Sequence, residues 1–131
     1  MTKTEIMRTE SLEVLKGKSK TTTAVVAGLI HVYDTDGWAP AGADAGGPHA
    51  FPEVSVAAPG AGQSDVAMIT EGTVMCQKAA GALAQGIFVK SDANSKAVAW
   101  TKGVDEPDEI VGYVVEAAAN ADTEVMIRIS N

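Results

Sequence analysis

The chain has 131 residues, of which 46% are hydrophobic, 21% charged and 5% aromatic, and its formal net charge is −7. This length predicts one domain, and the ordinary hydrophobic fraction argues against disorder over most of the chain. No run approaches the roughly 18 apolar residues of a membrane-spanning helix, and the polar first ten residues do not resemble a secretory signal. The single cysteine, Cys76, excludes an internal disulfide framework.

The hydrophobic residues are mostly small, with 22 Ala and 15 Val against two each of Phe, Tyr and Trp. Large apolar side chains supply most of the free energy of burial. We therefore expect an oligomer interface or a larger docking surface to complete the core. The first 20 residues carry a net positive charge and the rest a net negative charge, so the body of the chain is a poor surface for nucleic acid.

Residues 1–23 lack a clean hydrophobic period and predict an N-terminal arm that becomes ordered on a partner. A weak helix over residues 3–15, capped by Thr2 or Thr4, is the alternative. Residues 24–131 predict a single β-domain.

The first half of this domain alternates between strand-like and loop-like segments. An apolar segment from Ala24 ends in a turn at Asp34–Gly37, and the Gly, Pro and Ala content of residues 38–52 predicts an irregular loop. Alternation over Glu53–Ala57 predicts a strand.

The second half predicts more regular strands. Two of them, Asp65–Thr70 and Thr73–Ala79, flank a turn at Glu71 and Gly72. Segments Ile87–Asp92 and Lys96–Thr101 predict a β-hairpin.

The last two predicted strands are Glu109–Ala119, with a bulge at Gly112, and Glu124–Ser130. The latter alternates strictly, which places Val125, Ile127 and Ile129 on one face. About eight short strands favour a mainly β fold, a small β-barrel or sandwich with an extended N-terminal arm.

No candidate for catalysis or metal binding survives comparison with the spacing that each chemistry requires. Residues 34–38 resemble the opening of a calcium loop, but Ala, Pro and Gly stand where further oxygen ligands would be needed, so a turn is favoured. His31, His49 and Cys76 do not have a zinc spacing, and Cys76 lies in an alternating segment typical of a buried residue.

The acidic run Asp105, Glu106, Asp108 and Glu109 predicts a solvated charged turn, which Pro107 supports. The glycines form no phosphate-binding motif. We therefore predict no catalytic, cofactor-binding or metal-binding residues, no cofactor and no enzymatic activity.

Three segments in residues 49–131 carry a resemblance to a known family: EGTVMCQKA, AQGIFVKSDANSKAVAW and EIVGYVVEAAANADTEVMIRIS. Together with the upstream HAFPEVSVAAPGAG, which leads into DVAMITEGTV, they resemble the head decoration, or capsid cement, proteins of tailed viruses. The first half of the chain departs from that pattern.

The resemblance implies a virion structural protein that binds the outer surface of a tailed-virus capsid and stabilises the mature shell. Its implied partners are the major capsid protein and further copies of itself in a homotrimer, with no direct nucleic acid and no membrane. Its implied location is the capsid surface, after synthesis in the host cytoplasm. We expect the arm to make the capsid contact, through its apolar residues and flanking lysines: Ile6, Met7, Leu12, Val14, Leu15, Lys16 and Lys18. A disordered tail is the alternative for this segment.

Two other hypotheses come from different functional classes. A small-ligand or glycan-binding β-module would use a barrel mouth lined by Trp38, Trp100, Tyr33 and Tyr113. An enzyme would be built around Cys76 with His31 or His49.

Overall fold

A computed structural model describes residues 13–19, 23–34 and 36–130 of the chain. The strands in these residues are β1 (Glu13–Lys18), β2 (His31–Asp34), β3 (Gly37–Pro40), β4 (His49–Pro52), β5 (Asp65–Gln77), β6 (Phe88–Ser91), β7 (Ala97–Ala99), β8 (Gly112–Glu116) and β9 (Glu124–Ile129). Among the same described residues, one 3-10 turn, Pro107–Glu109, precedes β8. No helix in the described residues is long and apolar enough to cross a membrane.

The strands form one antiparallel sheet that curls into a half-barrel. Its order is β3-β2-β4-β5-β9-β8-β6-β7, and β1 pairs with β5 beside this path. The predicted mainly β fold of short strands is confirmed.

Strand β5 is the element that joins the two parts of the sheet. Its N-terminal half pairs with β1 and β4, and its C-terminal half pairs with β9. The prediction of two strands with a turn at Glu71 and Gly72 is wrong, because the strand runs on through Gly72 without reversing. Gly72 has a φ of 110°, a conformation that glycine adopts without the steric penalty of a Cβ atom.

The core consists of two clusters that meet at β5. The larger cluster includes Ile30, Phe51, Val89, Val114 and Ile127, with Ile69 of β5 packed against it. The smaller cluster contains Val25, Trp38, Ala50, Val66 and Met68. Phe51 and Trp38 are the buried aromatic residues of the described chain, and Val and Ala dominate the rest. The core is therefore built from small side chains, as the composition predicted.

Two sequence-predicted elements of the second half are confirmed. In β9, Val125, Ile127 and Ile129 are buried while the alternate positions are not. Strands β6 and β7 form the predicted hairpin, and the Asp92 carboxylate holds its turn by accepting hydrogen bonds from the backbone N–H groups of Asn94 (2.8 Å) and Lys96 (2.9 Å).

Other boundaries differ from the prediction because pairing overrides local composition. The loop predicted at 38–52 contains β3 and β4 at its ends, so the irregular part is residues 41–48. The strand predicted at Glu53–Ala57 is limited to an isolated bridge between Val56 and Val25.

The irregularity of β8 lies between Val114 and Glu116, not at Gly112 as predicted. Gly112 serves a different purpose, because a Cβ atom there would lie 2.1 Å from the carbonyl oxygen of Arg128 on the neighbouring strand. Glycine permits this close approach of two backbones.

The described part of the predicted arm belongs to the sheet. Residues 13–18 form β1, which pairs with residues 65–71 of β5. The alternative helix over 3–15 therefore does not extend to residues 13–15.

Candidate functional site

The residues predicted to contact a capsid fall into two groups. Val14, Leu15 and Lys16 lie in β1, opposite Ile69, Met68 and Ala67 of β5 respectively. Lys18 ends the strand, and its ammonium group forms an ion pair with the exposed carboxylate of Asp65. Ile6, Met7 and Leu12 lie outside the described residues. The proposed role of all seven residues in binding stays a prediction.

A row of large side chains crosses the solvent side of the sheet. Phe88 on β6 pairs with Tyr113 on β8, Tyr113 with Arg128 on β9, and Arg128 with Thr73 on β5. Directly paired residues project from the same face of a sheet. Phe88 is 42% exposed and Tyr113 is 37% exposed, so the two aromatic rings are presented to solvent.

A second row lies beside the first. Met75 on β5, which is 47% exposed, pairs with Met126 on β9, and Met126 pairs with Glu116 on β8. Trp100 extends the apolar surface at the β6 side, where its ring meets that of Phe88 edge-on at a centroid distance of 5.9 Å.

We call this surface the outer face and define it by its large side chains: Met75, Phe88, Trp100, Tyr113, Met126 and Arg128. The solvent side of an antiparallel sheet is ordinarily polar, and contiguous exposed apolar groups mark interaction surfaces. Sequence reasoning missed this surface as a unit. The available signal was the apolar residue at the solvent-facing position of each of four neighbouring strands.

The acidic run predicted as a solvated turn is more ordered than expected. The Asp105 carboxylate binds the ammonium group of Lys90 at 2.6 Å, and Lys90 also binds Asp44 at 2.6 Å. These bonds lower the pKa of Asp105 and raise that of Lys90. Glu109 is buried. The prediction of a solvated charged turn therefore holds for Glu106 and Asp108, which are exposed, and is wrong for Asp105 and Glu109. The sequence did not show the ion pair of Asp105 because Lys90 comes from a different strand.

The residues of the enzyme hypothesis are all buried. Burial raises the pKa of the Cys76 thiol to about 12, so the thiol is protonated at neutral pH and lacks the thiolate needed for nucleophilic attack. The predicted burial of Cys76 is confirmed. His49 lies in β4 rather than in a loop, and its Nε2 is 2.8 Å from the carbonyl oxygen of Ala45.

His31 is completely buried and uses both ring nitrogens. The carbonyl oxygen of Leu29, 2.9 Å away, can only accept, so Nδ1 donates. Nε2 accepts a hydrogen bond from the backbone N–H of Val26 at 3.2 Å. These bonds define a neutral tautomer, and burial lowers the pKa of His31 to about 4.

The aromatic residues of the glycan-binding hypothesis do not converge. Trp38 is buried and packs edge-on against Tyr33 at 5.3 Å, whereas Trp100 packs against Phe88. A cavity of about 310 Å³ is lined instead by Gly47, Pro48, His49, Pro107, Asp108, Ile110 and Ser130. A smaller cavity of about 160 Å³ adjoins Met75 and Glu116. Neither of these two cavities contains a ring of the predicted mouth.

The family described as phage cement protein matches residues 10–129 of the chain. The chain belongs to the phage cement protein family. This cement protein is accordingly a structural decoration protein and a component of the virion capsid. The predicted resemblance, function class and location are confirmed.

A solved structure supports the fold assignment. The cement protein is similar to the N base of head fiber gp8.5 in bacteriophage phi29, with a TM-score of 0.65 and 17% sequence identity. The alignment covers 90% of this chain and 95% of the phi29 chain. No curated protein sequence matches the chain.

Proposed function

We propose that this cement protein binds the outer surface of a tailed-virus capsid as a homotrimer and bridges neighbouring subunits of the major capsid protein. The observation that carries the proposal is the family match over residues 10–129. The protein acts here without catalysis. Its task is to raise the free energy needed to separate subunits of a shell that is under pressure from packed genome.

Mass action supplies the stabilisation. A protein that binds the mature shell, but not its precursor or free subunits, shifts the equilibrium towards the mature shell. A trimer can engage several sites at once, so modest contacts at each site give tight overall binding. The net charge of −7 keeps free copies apart before they bind.

The outer face supports the self-association part of the proposal. Met75, Phe88 and Tyr113 are solvent-exposed in a single chain, and the core is built from small residues. Burying Phe88 and Tyr113 against another copy adds apolar contact that the core does not supply. Arg128 lies in the middle of this face and suits the acidic surface of a second copy.

The arm supports the capsid-binding part. The segment that precedes β1 contains Ile6, Met7 and Leu12, with Arg8 between them. A segment of this kind can add a strand to an exposed sheet edge of a partner, where main-chain hydrogen bonds give affinity. Val14, Leu15, Lys16 and Lys18 then extend the contact from β1.

The first test is binding to particles that lack this protein. Purified full-length protein is compared with a chain lacking residues 2–12, which keeps β1 and therefore the pairing with β5. Occupancy is measured by cosedimentation and electron microscopy. Loss of binding in the shortened chain supports the arm as the contact. Equal occupancy of the two proteins contradicts it.

The second test separates self-association from capsid binding. The double variant Phe88→Ser and Tyr113→Ser removes two exposed rings, and Val54→Ser, at a position that is 63% exposed outside the outer face, is the matched control. Sedimentation velocity of the isolated proteins should show trimers for the wild type and the control and monomers for the double variant. A monomeric wild type at micromolar concentration refutes the homotrimer.

A further inference from the structure

Three carboxylates from two separate loops meet at one place. Asp44 belongs to the loop between β3 and β4, whereas Asp105 and Glu109 belong to the connector between β7 and β8. One oxygen from each side chain lies within 4.8 Å of the other two. Lys90 contributes one positive charge through its ion pairs with Asp44 and Asp105. The cluster therefore retains an excess of negative charge.

Of the three carboxylates in the described residues, that of Glu109 forms no ion pair with the ammonium group of Lys90. Glu109 is 9% exposed, and its Oε2 accepts a hydrogen bond from the backbone N–H of Glu106 at 2.9 Å. Its Oε1 is buried and has no hydrogen-bond partner in the described residues. Within those residues, the ion pairs of Lys90 go to Asp44 and Asp105. A buried carboxylate oxygen without a partner carries a large desolvation cost, and a cation bound among these carboxylates would offset it.

We propose that the carboxylates of Asp44, Asp105 and Glu109 bind a calcium ion. Calcium takes oxygen ligands at about 2.3–2.6 Å, so two ligands of one ion lie at most about 5 Å apart. The separations within 4.8 Å meet this condition for all three oxygens. Magnesium demands near-ideal octahedral geometry and is usually held by only one or two carboxylates, whereas calcium takes about six to eight oxygen ligands in flexible geometry. A set of three carboxylates therefore suits calcium, with water completing the coordination shell.

Calcium at this position links two loops that already touch. The backbone N–H of Gly47 in the first loop donates to the carbonyl oxygen of Asp108 in the second at 2.9 Å. The site that both loops form exists in the folded chain and not in the unfolded chain. Because calcium binds the folded chain alone, it raises the free energy of unfolding. The site borders the outer face at Trp100, whose indole N–H donates to the carbonyl oxygen of Glu106 at 2.8 Å. Calcium binding is measured on the isolated chain, so the proposal does not depend on how the capsid is bound.

The test is thermal unfolding of the full chain after treatment with a chelator. With a dissociation constant of about 0.1–1 mM, as in many extracellular calcium sites, about 10 mM calcium should raise Tm by roughly 5 °C or more. Magnesium at the same concentration should raise it less. Isothermal titration with calcium chloride should give one ion per chain. A wild-type protein whose Tm does not respond to calcium overturns the proposal.

Two variants assign the site. Glu109→Gln keeps the shape of the buried side chain, and Asp44→Asn changes an exposed residue with a φ of 56°, a conformation that Asn tolerates. Each should weaken calcium binding at least tenfold, whereas Glu116→Gln, an exposed glutamate on β8, should bind as the wild type does. Undiminished calcium binding in Asp44→Asn contradicts the assignment. If Glu109→Gln does not fold, the calcium affinity of Asp44→Asn alone tests the assignment of the site.

Discussion

Protonation of His31 should weaken the fold in mild acid. The buried ring is neutral, with Nδ1 donating to Leu29 and Nε2 accepting from Val26. A proton on Nε2 removes the second bond and leaves a charge among apolar groups. Because the pKa of His31 is about 4 in the folded chain and 6.5 in the unfolded chain, the unfolded chain binds more protons between these values. The free energy of unfolding therefore falls as the pH drops from 6.5 towards 4.

The size of the effect follows from the two pKa values. A difference of one pKa unit corresponds to about 1.4 kcal/mol in the free energy of unfolding. At neutral pH the uncharged His31 therefore contributes stability on the order of 3 kcal/mol, and this contribution is lost near pH 4. Carboxylates also titrate in this range. A variant that lacks the imidazole isolates the part due to His31.

The matched variant is His31→Asn, whose amide N–H can still donate to the carbonyl oxygen of Leu29. Urea unfolding of both proteins at pH 7.5 and pH 4 gives four free energies. The wild type should lose about 3 kcal/mol more than the variant between the two pH values. Equal losses in the two proteins, or an NMR titration of the His31 ring with a midpoint near 6.5, would refute the reasoning.

Three further predictions concern single positions. Gly112→Ala should destabilise the protein by about 3 kcal/mol in urea unfolding, because its Cβ would meet a neighbouring carbonyl oxygen at 2.1 Å, whereas Gly42→Ala, with open space around it, should be near neutral. Cys76 should react with iodoacetamide at pH 8 at least tenfold more slowly in the folded protein than in urea, since burial raises its pKa to about 12; equal rates would contradict its burial. Lys78→Met should cost about 2 kcal/mol of stability by leaving two carbonyls of the β8–β9 turn without their ammonium donor, and an unchanged urea midpoint would show that those bonds contribute nothing.

Local pattern predicted those elements whose burial alternates cleanly. In β9 every second residue is buried, so the period of two in the sequence was sufficient. The β6–β7 hairpin was also predictable, because Asp92 and Ser95 suit its turn. By contrast, Gly72 resembles a turn residue in the sequence, but pairing of β5 with neighbours on both sides keeps the strand continuous.

Surfaces assembled from distant residues could not be located from the sequence without the strand pairing. The outer face needs the register that pairs Phe88 with Tyr113 and Tyr113 with Arg128. The carboxylate cluster needs the fold to bring Asp44 to Asp105. Three statements stay predictions: that the protein catalyses no reaction, that the arm contacts the capsid, and that the β-domain begins after residue 23. The described sheet does not test them.

The position of β5 in the sheet has a consequence for how the chain reaches its native state. Its partners β1, β4 and β9 come from widely separated parts of the sequence, so long loops must close before most of its hydrogen bonds can form. Folding dominated by such non-local pairing is slow compared with that of helical proteins. Until all three partners arrive, newly made copies carry an unpaired strand edge that can capture another chain, so dilution or a chaperone should favour correctly folded molecules during particle assembly.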